Sequence, residues 1–336
     1  MQPRPLPRTR RALPLIDLLR PSDPRDAADL LLRDALAGLS AAAKTLPCKY
    51  FYDDRGSDLF DQICRLPEYY PTRTELAISR HHATAMATAC GPHVRLLELG
   101  SGTSTKTRVL LDHLRSPAAY LPVDIARDFL VASADTIAAA YPQLPVQPVC
   151  ADFTRPLAPI ADRVALPGRR TIVYFPGSTI GNFIDADATT LLTNITTLLG
   201  ADGGLLIGVD LRKDTGVLER AYDDSQGVTA AFNKNLLVRL NRELGADFAV
   251  DQFAHRAVYD QEFGRIEMQL VSRRAQRVHL AGHPIDFTAG EVIVTEHSHK
   301  YTLAGFAGLA AAAGLQVRQV WTDCEQLFSV QYLTPA

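Results

Sequence analysis

The 336-residue sequence predicts an α/β protein: a Rossmann-like, mostly parallel doubly wound sheet joined to a second α+β domain formed by an N-terminal segment and an insertion. Three observations predict it. Strand and helix patterns alternate from residue 94 to residue 210, strand runs of alternating polarity dominate from 211 to about 300, and a helix with two strands closes the chain from 301. Regular alternation implies parallel strands covered on both faces. Alternating polarity implies antiparallel strands with one solvated face. A closing helix and two strands suit a return to the first sheet.

Taken in order, VRLLEL (94–99) reads as a buried strand and 103–114 as an amphipathic helix. AYLPVD (119–124) is a second strand, and 126–140 a helix with Phe129, Leu130, Ala134 and Ile137 as its apolar positions. VQPVCADF (146–153), TIVYFPG (171–177) and GLLIGVD (204–210) are three more strands, the last two separated by a helix over 186–199. Beyond Asp210, 215–221 and 228–244 read as helices, and FAVDQFAHRAVYD, GRIEMQLVSRR, RVHLA and EVIVTEHSHKYT as strands. A helix over 303–313 precedes the closing strands LQVRQVWTD and LFSVQYLTP. The expected divisions are a disordered leader (1–27), an N-terminal segment of the substrate domain (28–75), the main α/β domain (76–210), the inserted substrate domain (211–300) and the return to the main domain (301–336). An insertion late in such a sheet commonly covers the active site.

Composition narrows the function. A formal net charge of −2 leaves no electrostatic footprint for nucleic acid. No run of 18 apolar residues offers a membrane span. The start, MQPRPLPRTRRALPL, lacks both the apolar core of a secretory signal and the serines of a transit peptide, so a leader on a cytoplasmic protein is expected. Five scattered cysteines, none in a CxxC pair, argue against disulfides and a zinc site.

The stretch LLELGSGTSTKTRVLLDHL (96–114) is strand, glycine turn and helix. Gly100 and Gly102 let backbone amides approach a ligand, and the helix start behind them favours an anionic group. A dinucleotide turn would carry Gly or Ala at position 105 for helix packing, where this chain has Thr105. The turn therefore reads as a site for S-adenosylmethionine, whose methionine carboxylate would be the anion. Asp124 ends the second strand, suited to the ribose hydroxyls. Asp152 and Phe153 end the third, suited to the adenine amine and ring. Lys106, in the first helical turn, is either a solvated lysine or a partner of the cofactor carboxylate.

Three segments carry polar and aromatic residues fit for an acceptor. KYFYDDRGSDLFDQICRLPEYYPTRTE (49–75) precedes the sheet, and FPGSTIGNF (175–183) follows the fourth strand, beyond whose carboxyl end ligands bind. In TEHSHKYT (295–302), Glu296 and Ser298 share one strand face, and His297 and His299 the other. No third ligand cluster accompanies the histidines, so no metal is expected.

These three strings, with YDDSQGVTAAFNKNLLVRLNRELGADF and RIEMQL, resemble the histidine Nα-methyltransferases of ergothioneine biosynthesis, from about residue 45 to near the C-terminus. The resemblance implies S-adenosylmethionine held by Gly100, Gly102, Lys106, Asp124, Asp152 and Phe153. It implies L-histidine held at its amino-acid end by Tyr69, Asn182 and Tyr222, with the Gly177 carbonyl and Tyr52 near the amine. Glu296 and Ser298 would bond the imidazole, and Met268 and Phe60 would line the pocket. Tyr52, Asn182 and Gly177 are thus the catalytic candidates. The implied product is Nα,Nα,Nα-trimethyl-L-histidine (hercynine), formed in three transfers by a monomer.

Methyl transfer from a sulfonium needs a neutral amine aimed in line with the methyl, and positioning can supply roughly 7–11 kcal/mol. Neutral acceptors suit that task, because a carboxylate beside the amine would hold it as ammonium. Two other readings remain open on the residues alone: a methyltransferase for another amino acid or small amine, and a non-catalytic small-molecule binding module.

Overall fold

The computed structural model describes residues 12–19, 24–102, 105–157, 160 and 170–336. In chain order the elements open with β1 (Ile16–Asp17), α1 (Pro24–Leu39), β2 (Lys44–Thr45), α2 (Asp54–Ile63) and α3 (Tyr70–Cys90). There follow β3 (Val94–Leu99), α4 (Thr105–Leu111), β4 (Ala119–Asp124), α5 (Arg127–Ala140), β5 (Val149–Cys150), β6 (Arg170–Phe175), α6 (Asp185–Leu199) and β7 (Gly204–Asp210). Next come α7 (Thr215–Tyr222), α8 (Val228–Leu244), β8 (Phe253–Asp260), β9 (Arg265–Ser272), β10 (Gln276–Leu280), β11 (His283–Phe287) and β12 (Val292–His299). The last elements are α9 (Leu303–Ala312), β13 (Leu315–Thr322) and β14 (Phe328–Pro335).

The main sheet runs β1-β5-β4-β3-β6-β7-β14-β13. Its strands are parallel from β1 to β7; β14 pairs antiparallel with β7, and β13, antiparallel to β14, runs in the direction of the others. The doubly wound expectation and the return of the last two strands therefore both hold. Successive residues of the central strands serve opposite faces: Leu97, Val173 and Leu205 join one core, Leu96, Ile172 and Leu206 the other. Such strands read as continuous apolar runs because neither face meets water. In α5 the buried residues are Leu130, Ala134, Ile137 and Ala138, whereas Phe129, expected on the core face, lines the ligand cleft.

A second sheet, β2-β12-β9-β8, is built from residues before and after the main alternation. β12 and β9 pair antiparallel with an irregularity between Val294 and Glu296. The hairpin β10-β11 stands apart from both sheets, and its second strand, which carries Pro284, was not expected from the sequence. A third core joins α1 and the segment around α2 to α7, α8 and the second sheet, through Phe51, Phe232, Leu237 and Ile293 among others.

Two expected boundaries change. Of the supposed disordered leader, residues 1–11 and 20–23 lie outside the described residues. The rest is ordered: Ile16 and Asp17 pair in parallel with Val149 and Cys150, and α1 already begins at Pro24. The unpaired edge of β5 supplies the hydrogen bonds that hold β1 there. The division between 75 and 76 falls inside the single helix α3, whose Tyr70 packs in the third core and whose Met86 and Cys90 pack under the main sheet. No described helix is long and apolar enough to cross a membrane.

Candidate active site

The carboxyl ends of β3, β4, β5 and β6 open into a cleft of about 900 Å³, and a recess of about 60 Å³ adjoins it under the second sheet. All six residues expected to hold the cofactor line the cleft: Gly100, Gly102, Lys106, Asp124, Asp152 and Phe153. The nine expected at the acceptor line the recess: Tyr52, Phe60, Tyr69, Gly177, Asn182, Tyr222, Met268, Glu296 and Ser298. Tyr52, Phe60, Tyr69, Gly177, Asn182 and Glu296 line both, so the two volumes meet at these side chains.

Gly100 and Gly102 have φ of 70° and 45°, a region open to glycine and strained for other residues. The Gly102 amide donates to Asp124 Oδ2 at 3.2 Å, and the Ala126 amide donates to Oδ1 at 3.0 Å. Desolvation at the strand end pushes the Asp124 carboxyl up against these bonds. Phe153 stands edge-on to Phe175 at 5.6 Å between centroids, and a Cβ added at Gly100 would lie 3.9 Å from its ring. Asp152 Oδ1 is taken by the amide and hydroxyl of Thr154 at 3.0 and 2.5 Å, while its other oxygen lies 3.9 Å from Lys49 and Arg155.

This turn fits S-adenosylmethionine on two observations. The buried Ser101 hydroxyl, which lines the cleft, has no hydrogen-bond partner among the described residues. A Cβ at Gly102 would meet nothing within 4 Å, so that face of the turn is open to a ligand.

Lys106 lines the cleft and is also held from behind. Its ammonium pairs with the fully buried carboxylate of Glu75, in α3. Both Glu75 oxygens also accept from the Gly177 amide, at 3.0 and 2.9 Å. Gly177 has φ 82°, and a Cβ there would lie 3.6 Å from Lys106 Nζ. The next residue, Ser178, is left-handed at φ 59°, its hydroxyl accepting from the Asp210 amide at 2.9 Å. The turn after β6 thus brings Gly177 up to the expected cofactor lysine, the two linked through Glu75.

Sequence reasoning missed Glu75. It also missed Glu98, a buried β3 carboxyl that Thr107 and Tyr120 hold by hydrogen bonds and that burial pushes up to about 8. Ile63, Ser178, Thr179, Ala221, Thr229 and Phe232 also line the recess. Glu75 ends the 49–75 string and Thr179 lies within FPGSTIGNF, but neither string gives them a role, and the partner of Glu75 is 31 residues away.

The recess is aromatic on one side. Tyr52 stands edge-on to Phe60 at 5.7 Å, Phe60 to Tyr69 at 6.3 Å, and Tyr69 to Tyr222 at 5.9 Å. Burial, reinforced by Glu296, holds the Tyr52 hydroxyl well above the ordinary phenol range, so it is a neutral O–H. Burial raises the Glu296 carboxyl to about 7, against the opposing pull of Lys300.

The resemblance implied that Tyr222 and Ser298 serve opposite ends of a ligand. Their hydroxyls lie 2.8 Å apart, and Lys300 Nζ donates to both, at 2.9 and 2.7 Å. His297 and His299, on the other strand face, are pushed down by burial, His299 to about 4, and both are therefore neutral. No group of three or more potential metal ligands occurs among the described residues.

A sequence profile of a family described as histidine-specific, S-adenosylmethionine-dependent methyltransferases matches residues 31–335. The histidine N-alpha-methyltransferase of Mycolicibacterium smegmatis is 47% identical over 302 residues, covering 88% of this chain and 92% of that protein. That of Mycobacterium tuberculosis is 45% identical over 304 residues, covering 89% and 93%. Ergothioneine biosynthesis protein 1 of Neurospora crassa is 30% identical over 285 residues, which are 83% of this chain and 32% of that longer protein.

Proposed function

Because the chain belongs to the family of histidine-specific, S-adenosylmethionine-dependent methyltransferases, we propose that it methylates the α-amino group of L-histidine three times, giving Nα,Nα,Nα-trimethyl-L-histidine (hercynine) as the first step of ergothioneine biosynthesis. The likeness to the two mycobacterial histidine methyltransferases and to the Neurospora ergothioneine protein supports substrate and pathway. The observation that carries the reading is the junction of cleft and recess at Gly177, beside both Lys106 and the aromatic wall.

S-adenosylmethionine supplies an activated methyl that needs no metal and no covalent intermediate. Gly100, Gly102, Asp124, Asp152 and Phe153 would hold it along the strand ends, with Ser101 as a further hydroxyl partner. Lys106, shared with Glu75, would face its carboxylate.

At the acceptor, Asn182, Tyr69 and Tyr222 would take the amino-acid end, and the Gly177 carbonyl and Tyr52 oxygen would accept from the amine. Tyr52, as a neutral phenol, accepts one hydrogen bond while donating another, so it can pass a proton on without becoming a phenolate. No carboxylate is needed beside the amine, and none would favour attack. Repeated transfer requires that acceptors lost as N–H bonds become N–CH₃ be neutral, and a carbonyl and a phenol meet that condition. Glu296 would accept from the imidazole N–H, with Met268 and Phe60 closing the pocket around the ring. The free thiols of all five cysteines suit a reducing compartment, and we place the reaction in the cytoplasm.

Mass spectrometry of purified protein with histidine and S-adenosylmethionine tests the reading. A trimethylated product is expected. A product that stops at one methyl overturns the three-step claim, and no turnover of histidine overturns the substrate.

A further inference from the structure

The least expected group near the recess is Lys300, which the sequence reading left without a role. Its side chain is fully enclosed. The ammonium has three hydrogens and three acceptors: Tyr222 Oη at 2.9 Å, Ser298 Oγ at 2.7 Å and Asp210 Oδ2 at 2.8 Å. A proton count limits what the pair in front of it can offer. Tyr222 and Ser298 each accept from Lys300, and one of their two hydroxyl hydrogens is spent on the 2.8 Å bond between them. One O–H is left over, and both residues line the recess. The pair therefore offers the ligand a single donor.

That donor is backed by positive charge. Asp210 is the carboxylate of this cluster, and Lys213 also donates to it, at 2.5 Å, while Tyr70 donates at 2.7 Å. Two ammonium groups thus share one carboxylate in a dry site. A hydroxyl polarised by a buried ammonium bonds an anion more strongly than a neutral acceptor. Glu296, which faces the same recess, supplies the opposite polarity, an acceptor suited to an imidazole N–H.

Resting on the proposed histidine substrate, we infer that Lys300 is a positioning residue for the substrate carboxylate: it fixes the Tyr222–Ser298 pair so that Tyr222 donates to that carboxylate. Lys300 itself touches no ligand and acts through the tyrosine.

The test is isothermal titration of histidine and of histamine, which lacks the carboxylate, into protein loaded with S-adenosylhomocysteine. The proteins are wild type, Lys300→Met, Tyr222→Phe and the double variant. Each single variant should weaken histidine binding about tenfold or more, as expected for one lost charge-assisted bond, while histamine stays within about threefold. The double variant should lose little beyond Tyr222→Phe, because both changes remove one interaction. S-adenosylhomocysteine affinity, unchanged, reports an intact fold. Equal losses for histidine and histamine, additive losses, or unchanged histidine binding would overturn the inference. Should Lys300→Met fail to fold, Tyr222→Phe against Ser298→Ala decides. Loss of discrimination between histidine and histamine in the tyrosine variant alone supports it, and loss in the serine variant alone overturns it. If the wild-type protein itself neither binds nor methylates histidine, the substrate reading fails. If it does, and the variants keep its discrimination, the role of Lys300 alone fails.

Discussion

Glu75 and Lys106 form an ion pair in which the glutamate side chain is completely buried and the lysine side chain, which lines the cleft, is 19% exposed. The same carboxylate accepts from the Gly177 amide, so one side chain of α3 ties the proposed cofactor lysine to the proposed acceptor loop.

Breaking that pair from the lysine side leaves a buried charge unpaired. Lys106→Met should lower stability by about 3 kcal/mol and weaken S-adenosylhomocysteine binding by about tenfold. Adding Glu75→Gln removes the stranded charge, so the double variant should recover most of the melting temperature while the ligand affinity stays low. Parallel recovery of both would mean that Lys106 serves only the fold.

Glu296 should make the ligand-free protein less stable as pH rises. Its carboxyl is raised from the ordinary 4.5 to about 7 in the fold. The native state therefore holds a proton that the unfolded chain releases earlier, and stability falls between about pH 4.5 and 7, by an amount on the order of 3 kcal/mol. Glu296→Gln, neutral throughout, should melt higher than wild type above pH 7 and show no gain below pH 4.5. A stability difference that does not change with pH would sink the argument.

The same residue should govern selectivity. Glu296→Ala should cost histidine at least about a hundredfold in kcat/KM, within the 10⁴ range open to sites that bond a substrate N–H, and leave S-adenosylhomocysteine binding unaltered. Normal histidine kinetics in this variant would remove Glu296 from the imidazole site.

Asp124 should act on the cofactor alone. Asp124→Ala should weaken S-adenosylhomocysteine binding about tenfold or more, and Asp124→Asn, which keeps one acceptor oxygen, should fall between it and wild type. Calorimetry that finds both variants as tight as wild type would contradict the ribose assignment.

The cofactor turn was legible because its parts are local: an apolar strand, two glycines and a helix start within 96–114, then acids at two later strand ends. The acceptor residues were legible only through long strings resembling a family, since they come from segments as distant as Tyr52 and Ser298. Periodicity could not reveal Glu75, Lys300 or the Tyr222–Ser298 bond, because each depends on at least one partner far along the chain. It also misjudged edges. β1 gains order from the edge it meets rather than from its own two residues, and Phe129 follows the apolar period of α5 yet faces ligand space.

The strand order has a consequence for synthesis. β14 lies between β7 and β13, and six of its eight residues are buried. The turn that would take the cofactor is made by residue 102, yet the sheet behind it gains this interior strand only when residue 335 has left the ribosome. Until then the flank of β7 and the apolar faces meant for Phe328, Val330 and Leu333 stay uncovered. Between the completion of β7 at residue 210 and the emergence of residue 335, a nascent chain therefore carries an exposed sheet edge. A premature stop in the last strand removes an interior member of the sheet rather than a dispensable tail.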